Sequence, residues 1–163
     1  INLLYGDANI KNAKQITARL NYGDINVVNV NKVLLTMNYG SANFDAVDVL
    51  SGKLNYSDIE LGNVSRTADI SVNYGDVEIN NMNNDFELIK VQANYSDIEL
   101  LLNETMRFSY EVTLLYGDIN NDLIEKYARR ITEKSYQTYM SGNINDSEGR
   151  HKIIINGNYS DVD

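Results

Sequence analysis

A chain of 163 residues with 43% hydrophobic residues is long enough for one buried core, and its net charge of −9 argues against the basic stripe of a nucleic-acid binder. The absence of Cys excludes a disulfide framework, a thiolate metal site and a Cys nucleophile. No apolar run reaches the ~18 residues that span a bilayer as a helix, so no direct membrane span is expected.

One phrase recurs along the chain, clearest as Asn73-Tyr74-Gly75-Asp76-Val77-Glu78-Ile79. Its repeated tyrosines are Tyr5, Tyr22, Tyr39, Tyr56, Tyr74, Tyr95, Tyr116 and Tyr159, at intervals of 17, 17, 17, 18, 21, 21 and 43. No signal peptide is recognisable, and the first phrase begins so close to the start that the chain is expected to be a segment of a longer one.

Before each tyrosine, apolar and polar residues alternate, as in Ile16, Ala18, Leu20 or Val33, Leu35, Met37. Period two marks a half-buried strand, and continuing the alternation puts the tyrosine on the inward face. After it the parity changes, with Ile25 and Val27, Ile59 and Leu61, Val77 and Ile79, and Ile98 and Leu100 as the next inward residues. The intervening pair is therefore a corner, with Gly or Ser expected to supply the unusual dihedral angles and Asp to close the turn. The corner residues of these copies are Tyr22, Gly23 and Asp24; Tyr56 and Asp58; Tyr74, Gly75 and Asp76; Tyr95 and Asp97; and Tyr116, Gly117 and Asp118.

Identical phrases at near-constant spacing bury their inward faces by stacking in parallel, each on its copy one coil away. The expected fold is all-β: a single-stranded parallel β-helix, or β-solenoid, of about eight coils, with a right-handed coil favoured. An antiparallel sandwich explains the fixed phrase poorly. One domain, 1–163, is expected, with an insertion at 120–152 near the C-terminal end. There, residues 121–131 place Leu123, Ile124, Tyr127, Ala128 and Ile131 on one helical face, with Asn121 or Asp122 as N-cap. Beyond the helix, Tyr136–Asn143 and Lys152–Tyr159 are expected to pair as a hairpin about the polar stretch Asn145–Arg150, capping the solenoid end.

Few residues suggest chemistry. Stacking places Asp7, Asp24, Asp58, Asp76, Asp97, Asp118 and Asp161 in one column broken by Ser41, with Glu60, Glu78 and Glu99 in a second. Hard oxygen ligands in a row suit Ca²⁺, but a ladder of turn-forming side chains explains them more simply. No other cofactor is suggested. The tyrosines would form a sugar-stacking platform only if they faced solvent. His151, the single His, is expected on a solvated turn, and Lys126, Arg129, Arg130 and Lys134 form a basic patch on the helix.

The phrase Asn-Tyr-Gly/Ser-Asp-Ile/Val-x-Leu/Ile, with the late Gly142-Asn143 and Ile153-Ile154-Ile155 segments, resembles the adhesin, head-domain-like β-helix families of unknown function found in Bacteroidetes and other bacteria. The resemblance implies an exported domain in the periplasm, associated with the outer membrane or at the cell surface, and it brings no catalytic residues. The functional expectation is a non-enzymatic module binding glycan or protein at the cell envelope, with a homo-oligomer through the solenoid ends or faces also open. The alternative is a carbohydrate-active β-helix enzyme of the pectinase or polysaccharide-lyase type.

Overall fold

The computed structural model describes residues 1–145 and 149–163. The chain is an all-β, mostly parallel β-solenoid with one short helix near its C-terminal end. Alternating burial selects strands throughout, because every second side chain must enter a core that only stacked layers can close. Strand β1 (Asn2–Leu3) pairs with β2 (Ala8–Leu20), and β2 pairs with β3 (Ile25–Leu61), a run longer than two of the 17-residue intervals. Registers such as Leu20↔Met37, one interval apart, place like residues above like. The stack continues through β4 (Val64–Asn73) and β6 (Leu88–Asn94), while the short strands after the corners, β5 (Val77–Ile79) and β7 (Ile98–Leu100), form their own parallel ladder.

The core runs along the axis as columns. Ala18, Leu35, Ile70, Val91, Val112 and Ile155 form one column before the corners. Ile25, Ile59, Val77 and Ile98 form another after them.

The C-terminal third departs from consecutive winding. After β7 the chain forms β8 (Phe108–Leu115), helix α1 (Asp122–Lys126), β9 (Ala128–Lys134), β10 (Gln137–Ile144) and β11 (Lys152–Asn158). Strand β11 lies between β6 and β8, parallel to both, so the layer last in sequence is not last in space. The expected hairpin of 136–143 with 152–159 is therefore not formed. Strand β10 instead pairs antiparallel with β8, from Gln137↔Leu115 to Ile144↔Phe108, and antiparallel with β9. A strand matching the repeat gains two parallel partners in the stack, which a hairpin would deny it. Of the polar stretch expected as the hairpin turn, residues 146–148 lie outside the described residues.

The helix is shorter than its apolar pattern implies. Asn121 caps it, its side-chain oxygen accepting from the N–H groups of Leu123 and Ile124. Past Lys126, residues 128–134 extend to pair with β10 instead, leaving Ile131 exposed. Arg129, Arg130 and Lys134 therefore lie on β9 rather than on a helix. β9 is the outermost strand at that end of the sheet, where charged side chains discourage further pairing.

Tyr110 ties the helix to the stack: its buried ring sits in the core and its hydroxyl donates to the Ile124 carbonyl at 2.5 Å. Burial pushes this phenol up to about 12 from 10.0. The folded chain thus holds the proton to higher pH than the unfolded chain does, and the stability this contributes below pH 10 is lost as pH rises towards 12. Tyr110→Phe is expected to cost about 1–2 kcal/mol at neutral pH by stranding that carbonyl. Denaturant titrations should also show a shallower alkaline loss of stability in the variant than in the parent.

Candidate functional site

The repeated corner is where the structure concentrates its recurring polar chemistry. In the layer of Tyr56, Leu54 points inward, Asn55 and Tyr56 both point outward, and Ser57 turns inward again before Ile59 and Leu61. The parity break thus falls at the tyrosine. The tyrosines do not pack inward: Tyr22, Tyr39, Tyr56, Tyr74, Tyr95, Tyr116 and Tyr159 are 43–55% exposed, and Tyr5 more so.

The physical reason lies in the backbone. Tyr39, Tyr56, Tyr74, Tyr95, Tyr116 and Tyr159 have φ between 50° and 59°, the left-handed region that L residues rarely enter. The turn that re-aims the chain is made at the tyrosine, and this swings the ring outward. In the first two layers Gly6 and Gly23 carry the positive φ instead. Gly75 and Gly117 do not, so the expectation that glycine supplies the unusual dihedral is corrected for those layers.

Gly75 is required by space. A Cβ there would lie 2.1 Å from the Ser57 carbonyl oxygen of the layer below, and one at Gly117 would lie 2.0 Å from that of Ser160. Where Ser replaces Gly, the side chain is buried and its hydroxyl donates back to the Asn carbonyl two residues earlier: Ser57 to Asn55, Ser96 to Asn94, Ser160 to Asn158. Ser96 Oγ also accepts from the Gly75 N–H. Serine is therefore the one larger residue that this column accommodates in three of its layers.

Stacking turns each outward residue into a ladder. The rings of Tyr5, Tyr22, Tyr39, Tyr56, Tyr74, Tyr95, Tyr159 and Tyr116 follow one another in that spatial order, with centroids 4.7–5.2 Å apart and planes within 12°. Tyr136, from the turn between β9 and β10, adds a tilted ninth ring beside Tyr116 at 6.0 Å. An aromatic pair contributes ~0.5–1.5 kcal/mol, comparable to the ~1–2 kcal/mol cost of a left-handed L residue, so ladder and strained turn offset each other.

On one side of the rings, Asn amides bond layer to layer, as Asn38 to Asn21, Asn73 to Asn55, Asn94 to Asn73 and Asn158 to Asn94. On the other side is the carboxylate column. Asp7 accepts from the Asp24 N–H, Asp58 from Asp76, Asp76 from Asp97, Asp97 from Asp161 and Asp161 from Asp118. At the break in the column, Ser41 donates both its N–H and its hydroxyl to Asp24. Each of these carboxylates has a backbone donor in the next layer, which is what a turn-forming ladder requires and what relieves the repulsion between neighbours. Glu60, Glu78 and Glu99 stand in register beyond it. Among the described residues no group of three or more His, Asp or Glu side chains is arranged to hold a metal ion, and no residue here is assigned to Ca²⁺.

His151 is half-buried rather than solvated; its ring lies 5.7 Å from Phe86 and its Nδ1 faces the Phe86 carbonyl. Acidic and basic groups also meet in an open groove of about 740 Å³ between α1 and residues 99–104. There Lys126 pairs with Glu104, and Asp163 accepts from the Asn120 amide.

The fold and corner together define a β-solenoid domain whose repeat unit builds an external aromatic ladder. The chain belongs to the Toastrack DUF4097 family, whose model matches residues 1–161. No match was found among curated proteins or among solved structures.

The Gly75 contact yields a graded expectation. Gly75→Ser and Gly75→Val should both lower the melting temperature substantially, because the Cβ of either meets the Ser57 backbone, with Val the worse because its branch must also find room. A melting temperature for Gly75→Ser equal to that of the parent would contradict the spatial account.

Proposed function

We propose that the chain is a non-enzymatic module of an exported protein, displayed in the periplasm, at the outer membrane or at the cell surface. It binds a glycan or protein partner along its tyrosine corner, in the manner of an adhesin. One observation carries this reading: a straight run of eight stacked tyrosines is left about half exposed, at the cost of a strained backbone angle in six of them. Unusual backbone angles cluster where a site demands them.

The stacking also defines the mode of contact. Each inner ring has another ring on either side, so what reaches a partner is its edge and its hydroxyl. A linear partner with repeating hydroxyl or amide groups would meet the same amide, phenol and carboxylate in the layers of Tyr22, Tyr56, Tyr74, Tyr95 and Tyr159, successive layers lying about 4.8 Å apart. Weak contacts repeated along one rigid axis then add. This is hydrogen-bonded recognition rather than a sugar lying flat on a ring.

The test is binding to a panel of envelope polysaccharides, peptidoglycan and outer-membrane proteins, with a Tyr56→Phe/Tyr74→Phe variant. The rings and their stack remain in this variant, so the melting temperature should hold. Affinity for the panel member bound should fall roughly 3- to 10-fold per hydroxyl. Unchanged affinity would remove the tyrosine corner as the binding surface. The enzyme reading has one foothold, the groove with Glu99, Asp122 and Lys126. Turnover of a uronic-acid polymer that disappears in Glu99→Gln would replace the binding reading with that one.

A further inference from the structure

The placement of residues 152–163 bears on how copies of the chain interact. Strands β6 and β8 do not pair with each other, and the space between them is one layer wide. Residues 152–163 fill it completely. All seven positions of β11 are in register with both neighbours, Ile155 lying between Val91 and Val112. Tyr159 completes the aromatic ladder between Tyr95 and Tyr116, and Val162 bridges Ile98 on one side and Ile119 on the other. Ile153, Ile155 and Val162 are fully buried. Without this segment the stack would be open one layer short of its last tyrosine corner, with two strand edges and a strip of core facing the gap.

Strand β8 pairs with no earlier strand, but each strand from β2 to β7 can be laid on a layer already formed as the chain winds. Strand β11 cannot: its far neighbour, β8, and the hairpin of β9 and β10 on β8 come earlier in sequence. The segment is thus a closing strand, and its partners are 64 and 43 residues away.

The slot is selective. Its walls supply backbone donors and acceptors to any strand, but a Cβ at Gly157 would lie 2.6 Å from Leu114 Cδ2, so a larger residue there must push that side chain aside. Beyond that point it must offer an Asn amide to Asn94, a ring to two tyrosines, a Ser hydroxyl to the Ser96 N–H and a carboxylate to the Asp118 N–H. The segment Gly157-Asn158-Tyr159-Ser160-Asp161 meets all of these demands, and every copy of the chain carries it.

We propose that the slot between β6 and β8 is a strand-acceptor site for a second copy of this chain, which inserts its own residues 152–163 there while the first copy's closing strand is donated in turn. The exchanged pair makes the same contacts as the single chain, so its formation depends on concentration rather than on new surface.

The natural absence of Cys permits a direct trap. Gln92 and Asn156 are outward-facing register partners on β6 and β11. A Gln92→Cys/Asn156→Cys double variant, oxidised when dilute, should close a bond within one chain, establishing that the pair can be bridged. A mixture of single variants, Gln92→Cys with Asn156→Cys, refolded together at high protein concentration and then oxidised, should give linked pairs of unlike chains. Their yield should rise with concentration and exceed severalfold that of Gln92→Cys mixed with Thr36→Cys, a remote exposed position on β3. If the double variant closes its internal bond but the mixture gives only the Thr36→Cys background at every concentration, the strand stays in its own chain and the proposal is overturned. If the double variant fails to close, a short thiol-reactive bifunctional cross-linker applied to the same mixtures decides between the same two outcomes.

Discussion

The structure depends on one constraint: every coil must place the same atom above the same atom. Parallel strands without neighbouring sheets bury their inner faces only if successive layers are in register. The corner maintains that register. Two consecutive outward residues, Asn and Tyr in six layers and Leu and Tyr in those of Tyr5 and Tyr116, reset the alternation, and a left-handed backbone angle at the tyrosine makes this sterically possible in six of the eight. Stacked phenols, bonded amides and carboxylates on backbone N–H groups then hold each corner to the next. Ser57, Ser96 and Ser160 fit the same column because their buried hydroxyls find a carbonyl within their own turn.

The same constraint explains the C-terminal arrangement. A stack of parallel layers ends in open strand edges, which invite further pairing. Here the far end is covered by the antiparallel strands β10 and β9, with charged side chains outermost, and Tyr136 finishes the ring ladder with a tilt. The cover is pinned from inside, since Tyr110 in the core holds the Ile124 carbonyl of α1. Closing the stack from within, by β11, leaves the cover at the tip and the seam just inside it, between β6 and β8.

Much of this was legible in the residues. The repeat, the parallel solenoid, the columns of Asn and Asp and a helix N-cap at Asn121 or Asp122 follow from spacing and side-chain chemistry alone. The orientation of the tyrosines did not. A parity break placed just before or just after the aromatic fits the same hydropathy pattern, and the deciding quantity, a left-handed φ on a bulky residue, leaves no trace in polarity. The order of the last layers was hidden for a related reason: the phrase at Tyr159 matches every slot in the stack, so only long-range packing chooses between Tyr95 and Tyr116 as neighbours. Residues 128–134 illustrate the third kind of difficulty. Ala128 and Ile131 continue a helical stripe, but pairing with β10 satisfies the backbone of the whole segment and overrides a preference worth only tenths of a kcal/mol per residue.

The outward tyrosine is the claim on which the corner, the ladder and the binding surface all rest. Hydroxyl-radical footprinting of the folded chain, read by peptide mass spectrometry, tests it with an internal standard. The account predicts that Tyr22, Tyr39, Tyr56, Tyr74 and Tyr95 are oxidised readily while Tyr110, 1% exposed, is protected. Protection of Tyr56 and Tyr74 equal to that of Tyr110 would place the rings in the core and contradict it.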